Sequence, residues 1–122
     1  MLLGIAVLGG LGAAARFVVD GLVRGRTRGA LPVATLLVNV SGSGLMGLLG
    51  GALLYHSLSP TAFGLLGVGF CGGYTTFSTA MVETVRLVQA GDVRRAAFNA
   101  VGSVLLTLAA ASSGVLVMWL VR

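Results

Sequence analysis

The sequence predicts an all-α membrane protein with four transmembrane helices, the third broken near its middle. Three observations lead to this expectation. First, 57% of the 122 residues are apolar, only 9% are charged, and the mean hydropathy is +1.03. A soluble domain of this length would need far more charge to cover its surface. Second, four apolar stretches are each long enough to cross a bilayer, which takes about 20 residues. Third, the run Gly69-Phe70-Cys71-Gly72-Gly73-Tyr74-Thr75-Thr76-Phe77-Ser78-Thr79 lies inside one of those stretches yet makes a poor continuous helix. Each glycine costs about 1 kcal/mol relative to alanine in a helix interior. Backbone released from a helix in hydrocarbon must find partners in protein, ion or water.

The chain reads as one transmembrane domain, residues 1–122, with spans near 2–23, 32–55, 61–90 and 96–121. The first span has no basic region ahead of it and no convincing cleavage site, so it reads as a retained helix and not a signal peptide. Arg24-Gly25-Arg26-Thr27-Arg28-Gly29 is a loop. Pro32 suits the first turn of the second helix, and His56-Ser57-Leu58-Ser59-Pro60 is a short turn. The third stretch is too long for one simple span, which fits a break within it. Gly91-Asp92-Val93-Arg94-Arg95 is the next loop, and Trp119 anchors the end of the last helix at the interface.

The net charge of +5 comes entirely from arginine, since the chain has no lysine. Four spans place loops 24–31 and 91–95 on one side. That side carries Arg24, Arg26, Arg28, Arg94 and Arg95, against Arg122 alone on the other. The bias puts these loops in the cytoplasm and both termini outside. The single cysteine, Cys71, excludes an internal disulfide and reads as a packing residue. Gly47 and Gly51, like Gly69 and Gly73, have the spacing that lets membrane helices approach closely. Four short helices leave little room for a pathway, so an oligomer is expected, a dimer being the simplest.

The polar residues within the spans are few. Asn39 lies in the middle of the second, where an amide needs partners; a plain interhelical hydrogen bond would satisfy it. Asn99, Ser103 and Thr107 recur every four residues and stack on one helix face. Back-bonding to the preceding turn explains one such residue, whereas three in a ladder favour a polar track. Arg16 and Asp20, four apart, are expected to pair, as are Glu83 and Arg86, three apart. Phe77 follows two threonines and the break, where its positive ring edge can face an anion; lipid or core packing is the plainer role. His56 reads as a turn residue. No catalytic triad, metal-ligand cluster, phosphate loop or dinucleotide fingerprint is present, so no enzyme is expected.

Taken together, Gly9-Gly10-Leu11-Gly12-Ala13-Ala14-Ala15-Arg16-Phe17, Thr35-Leu36-Leu37-Val38-Asn39-Val40-Ser41-Gly42-Ser43 and the broken third-helix motif resemble the Fluc/CrcB family of small fluoride channels. The resemblance covers nearly the whole chain. It implies a dimer of two antiparallel subunits in the plasma membrane, with two pores at the subunit interface. Fluoride passes down its gradient and chloride is excluded. It also implies a structural Na+ at the dimer centre, not transported, held by the backbone carbonyls of Gly72 and Thr75 from both subunits. Asn39 and Phe77 match pore residues of the family. Ser78 and Thr79 match hydroxyls near the anion path, and Asn99, Ser103 and Thr107 match its polar track. Such groups can replace the water around fluoride without a fixed cation that would hold it too tightly.

Two positions depart from the family pattern. The second pore phenylalanine falls at Ala80, and the outermost aromatic of the track falls at Asn99. The five-to-one arginine bias also suits a subunit of fixed orientation, paired with an oppositely biased homologue, as some members of the family are. Homodimer and heterodimer both stay open, and so does a non-conducting subunit of a heterodimer. A small proton-coupled multidrug transporter would share the size and helix number. It would need a membrane-embedded carboxylate in its first helix, where this chain offers only Asp20 near the loop end.

Overall fold

The computed structural model describes residues 1–29 and 31–122; Ala30, inside the loop expected at 24–31, lies outside the described residues. The architecture is all-helical, and four helical stretches are long and apolar enough to cross a membrane: Leu2–Arg24, Val33–Tyr55, Pro60–Gln89 and Val93–Leu120. Helix α1 is Leu2–Arg24 and α2 is Val33–Tyr55. At about 1.5 Å per residue, each runs to ~34 Å, enough for a hydrocarbon core of about 30 Å. Pro32 stands just ahead of α2 as its N-cap.

The third stretch is assembled from four pieces. Ser59 caps α3 (Pro60–Phe63), its hydroxyl accepting from the Ala62 N–H at 3.1 Å. The chain continues as a π-helical segment, Gly64–Cys71, and returns to α-geometry in the single turn α4 (Gly72–Tyr74). Thr75 and Thr76 are extended, at φ −79°, ψ 160° and φ −146°, ψ 123°. Helix α5 (Phe77–Gln89) then starts on a Thr76 cap. The expected break is therefore present, and it falls at Thr75–Thr76, two residues after the paired glycines.

A Schellman closure ends α5: the Asp92 N–H donates to the Leu87 carbonyl and the Gly91 N–H to the Val88 carbonyl, both at 2.9 Å. Gly91 takes φ +79°, the left-handed conformation that this motif demands. Helix α6 (Val93–Leu120) begins three residues earlier than the sequence suggested. The reason is Asp92, whose carboxylate accepts from the Arg95 N–H at 3.1 Å and caps the helix, so the charged residues Arg94 and Arg95 fall in its first turn and not in a loop.

Glycines set the packing. At Gly47 a Cβ would collide with the Ala111 backbone, and at Gly114 it would lie 2.6 Å from the Gly44 carbonyl oxygen, so α2 and α6 touch backbone to backbone. At Gly73 a Cβ would run into the Gly9 backbone, and at Gly69 it would sit 3.1 Å from the Ile5 carbonyl oxygen, which seats the π-helical segment and α4 on α1. The small-residue pairs of the sequence are thus consumed within one chain.

Candidate functional site

The site is built on the break. In a continuous helix the Thr76 N–H would bond the Gly72 carbonyl. Here it donates instead to Asn39 Oδ1 at 2.8 Å, while Asn39 Nδ2 donates to the Thr76 carbonyl at 2.8 Å. One amide side chain from the middle of α2 thereby satisfies both polar groups of an extended residue inside the bundle. The Thr75 carbonyl accepts from Arg16 Nη1 at 3.1 Å. Thr75 Oγ1 turns back to the Cys71 carbonyl at 2.9 Å, and Thr76 Oγ1 accepts from the Thr79 N–H at 3.3 Å. Each side of the break is closed by one threonine hydroxyl.

Two glycines let the break approach its neighbours. A Cβ on Gly12 would strike the Phe70 carbonyl and lie 2.8 Å from the Tyr74 nitrogen. A Cβ on Gly42 would meet the Thr75 methyl and lie 3.0 Å from the Tyr74 ring. Tyr74 stacks on Phe70 with centroids 6.0 Å apart, and its hydroxyl lies 3.0 Å from Ser41 Oγ.

The break also brings together two helix ends of opposite polarity. The carbonyl end of α4 carries partial negative charge and the N–H end of α5 partial positive charge. Gly72 and Thr75 belong to the first, and a carbonyl has a second lone pair even when it already accepts one bond. Among the described residues there is no cluster of three or more His, Cys, Asp or Glu to hold a metal, so a cation here would depend on backbone oxygens.

Asn39, Phe77, Ser103 and Thr107 line one open groove of about 250 Å³, together with Ser43, Thr76 and Ala80. Phe77 is 78% exposed, so the described residues leave most of the ring uncovered. Thr107 Oγ1 donates to the Ser103 carbonyl at 2.7 Å, so its one O–H is spent within α6. The remaining expected site residues lie elsewhere. Ser78 is exposed beyond the lining, with its hydroxyl 3.5 Å from that of Thr76. Thr79 faces a second cleft of about 280 Å³, shared with Arg16, Asp20, Arg24 and Thr35. Asn99 is only 7% exposed and its Nδ2 is committed to α5, donating to Thr84 Oγ1 at 2.8 Å and the Ala80 carbonyl at 3.4 Å. The ladder of three is therefore a pair in the groove and a third residue tying α6 to α5.

Both expected ion pairs are corrected. Arg16 does not meet Asp20, because it reaches across to the Thr75 carbonyl. Asp20 pairs with Arg24 instead, at 2.7 Å. Glu83 does not meet Arg86: its Oε1 accepts from Arg24 Nη2 at 2.9 Å and from Thr35 Oγ1 at 2.8 Å. Arg24 and Thr35 were not singled out by the sequence. Two spacings could have found them, since Arg24 stands one turn after Asp20 and Thr35 one turn before Asn39.

The sequence has relatives. A family model described as CrcB-like protein, Camphor Resistance (CrcB), matches residues 3–115. A protein of Leifsonia xyli subsp. xyli named fluoride-specific ion channel FluC 1 is 46% identical over 120 residues, covering 98% of this chain and 85% of its own. One of Mycolicibacterium paratuberculosis named fluoride-specific ion channel FluC 2 is 49% identical over 111 residues, covering 91% of this chain and 88% of its own. A FluC 2 of Cutibacterium acnes is 42% identical over 114 residues, covering 93% of each chain. With nearly its whole length matched by that family model and by these relatives, the chain belongs to the CrcB family.

Proposed function

We propose that this chain, a single transmembrane domain of the cell membrane, forms a fluoride-selective passive channel that drains fluoride from the cytoplasm and performs no chemical catalysis. The observation that carries the reading is the groove beside the break. Its amide, hydroxyls and aromatic edge converge where an α-helix N-terminus begins, and no cationic side chain lines it. The second Asn39 Nδ2 hydrogen, the Ser103 hydroxyl and the positive ring edge of Phe77 offer weak donors in place of water, which lets an anion enter and leave, whereas the Thr107 O–H is already spent within α6. The relatives' names assign the same ion. Hydrogen fluoride crosses membranes as a neutral acid and dissociates inside; an inside-negative potential then drives the anion out, by about 2.3 kcal/mol per 100 mV.

Asn39, Phe77, Ser103 and Thr107 would line the path, with Ser78 and Thr79 at its approach and Asn99 holding the wall. The groove is open along one side and most of the Phe77 ring is uncovered, which favours completion by a second, antiparallel chain. The carbonyls of Gly72 and Thr75 suit a hard cation such as Na+, and a second chain would double the number of oxygens. Bound there, the ion would supply fixed positive charge that ties two chains together without being transported. With the arginine-rich loops cytoplasmic, the partner is either an inverted copy or an inverted homologue. The transporter reading loses ground, because Asp20 is held by Arg24 at the end of α1.

Fluoride efflux from liposomes holding this chain alone, read with a fluoride electrode beside a chloride control, tests the proposal. Fast fluoride-selective efflux that falls on Phe77→Ile supports a self-sufficient channel. Efflux only after co-reconstitution with a homologue from the same source supports a heterodimer. A complex whose flux ignores Phe77 makes this chain the silent half, and equal chloride efflux overturns selectivity.

A further inference from the structure

At the arginine-rich end, the first turn of α6 and the residues before α2 frame two adjoining hollows. The outer one, of about 570 Å³, is bounded by Leu31, Asp92, Arg94, Arg95 and Phe98. The inner one, of about 240 Å³, continues from Leu31 and Phe98 between the start of α2 and α6, past Leu36 and Gly102 to Leu106. Leu31 and Phe98 line both.

The chemistry changes along this route. At the mouth, Asp92 is occupied by Arg95, Nη1 to Oδ2 at 3.1 Å. Arg94 makes no ion pair among the described residues, and its guanidinium lies 6.0 Å from the centroid of the Phe98 ring, which orients it toward the mouth. Further in, the walls are Val33, Leu36 and Leu106, with Ser103 at the border with the groove beside the break, and nothing lies within 4 Å of where a Gly102 Cβ would be. The one amide in that wall, Asn99, spends its Nδ2 on the α5 side. From Phe98 to Leu106 the helix rises about 12 Å, close to the ~15 Å of hydrocarbon in one leaflet.

We propose that this site binds an anionic phospholipid, its headgroup phosphate on Arg94 and one acyl chain laid along the Gly102 groove. Charge complementarity selects this occupant. The three side-chain carboxylates, Asp20, Glu83 and Asp92, all sit at this same end and are already held by Arg24 or Arg95. An inverted second copy would present His56 and Arg122 here and no acidic side chain, and a parallel copy would present the same arginines. A lipid of the cytoplasmic leaflet brings both the negative charge and the chain.

Native mass spectrometry of the intact protein in detergent tests the site, with equimolar phosphatidylglycerol and phosphatidylcholine of identical acyl chains. The wild type should retain phosphatidylglycerol in preference. Arg94→Gln, at an exposed position without an ion pair among the described residues, should bring the two lipids to parity. Arg122→Gln, at the opposite end, should leave the preference intact, and Gly102→Leu should lower retention of both lipids by filling the groove. Preference that survives Arg94→Gln, or that falls equally with Arg122→Gln, overturns the proposal. So does unchanged retention in Gly102→Leu. None of these outcomes depends on whether the chain conducts fluoride.

Discussion

Asn39 holds the peptide of Thr76 at both ends, its amide donating to the carbonyl and accepting from the N–H, each at 2.8 Å. The grip replaces the helical bond that the break gives up. An interhelical hydrogen bond and a pore residue were the two readings of Asn39, and this geometry supplies the first while leaving the side chain at the edge of the groove.

Asn39→Leu should therefore be costly. Both Thr76 groups would be left without partners, at about 1–3 kcal/mol each. The expected outcome is a lower thermal midpoint in detergent together with loss of fluoride efflux. Asn39→Gln, which keeps the amide on a longer stem, should recover part of the stability. A variant that kept the wild-type midpoint would show that the break closes without the clamp.

The glycines beside the break should divide sharply. A Cβ on Gly73 would meet the Gly9 backbone, which cannot yield without separating α1 from α4, whereas a Cβ on Gly72 meets nothing within 4 Å. Gly73→Ala is expected to abolish recovery of monodisperse protein, and Gly72→Ala to fold. If Gly72→Ala folds but lowers efflux, the carbonyl at that position matters to an assembly larger than one chain. Size-exclusion chromatography followed by flux measurement separates the two effects.

How much of this was legible in the sequence depends on the reach of each interaction. The four spans follow from hydropathy, and the break follows from glycines and hydroxyls adjacent in the chain, so both were readable. Asn39 was recognisable as a polar residue needing a partner, but its partner lies 37 residues on, and only the fold supplies it. Local spacing misled at Arg16: a partner one turn away was available, yet an extended carbonyl across the bundle takes its guanidinium. The start of α6 was missed because charge suggested a loop, whereas Asp92 as a cap turns the same residues into a first helical turn. Glu83 shows the same limit, since its partners come from α1 and α2.

The Glu83 cluster gives a prediction in which two losses together cost less than one. Glu83 Oε1 is held by Arg24 and Thr35, while its Oε2 is buried without a partner. Removing Arg24 leaves that carboxylate, only 13% exposed, with one hydroxyl donor. Arg24→Gln should lower the thermal midpoint more than the double variant Arg24→Gln/Glu83→Gln, because an unpaired buried charge costs more than a missing pair. A double variant less stable than either single one would show that the two residues act independently.

Ala80 and Asn99, where the resemblance to the family would place aromatic rings, are neighbours: Asn99 Nδ2 lies 3.4 Å from the Ala80 carbonyl oxygen. Ala80 is only 5% exposed and Asn99 7%, so α5 and α6 pack closely here, with Ala80 at the border of the groove beside Phe77. Asn99 Nδ2 also donates to Thr84 Oγ1 at 2.8 Å, which ties α6 to α5. Restoring one ring should therefore harm the fold before it helps conduction. Ala80→Phe is expected to cost about 1–3 kcal/mol through overpacking, read as a lower thermal midpoint, with no gain in fluoride efflux. Asn99→Ala, which removes the amide's bonds to Thr84 Oγ1 and the Ala80 carbonyl but leaves the Thr84 hydroxyl donating to that carbonyl at 2.8 Å and adds no bulk, should cost less. Wild-type stability in Ala80→Phe together with faster efflux would mean that the ring finds the groove beside Phe77 instead, and that this chain lacks a pore residue it has room to accept.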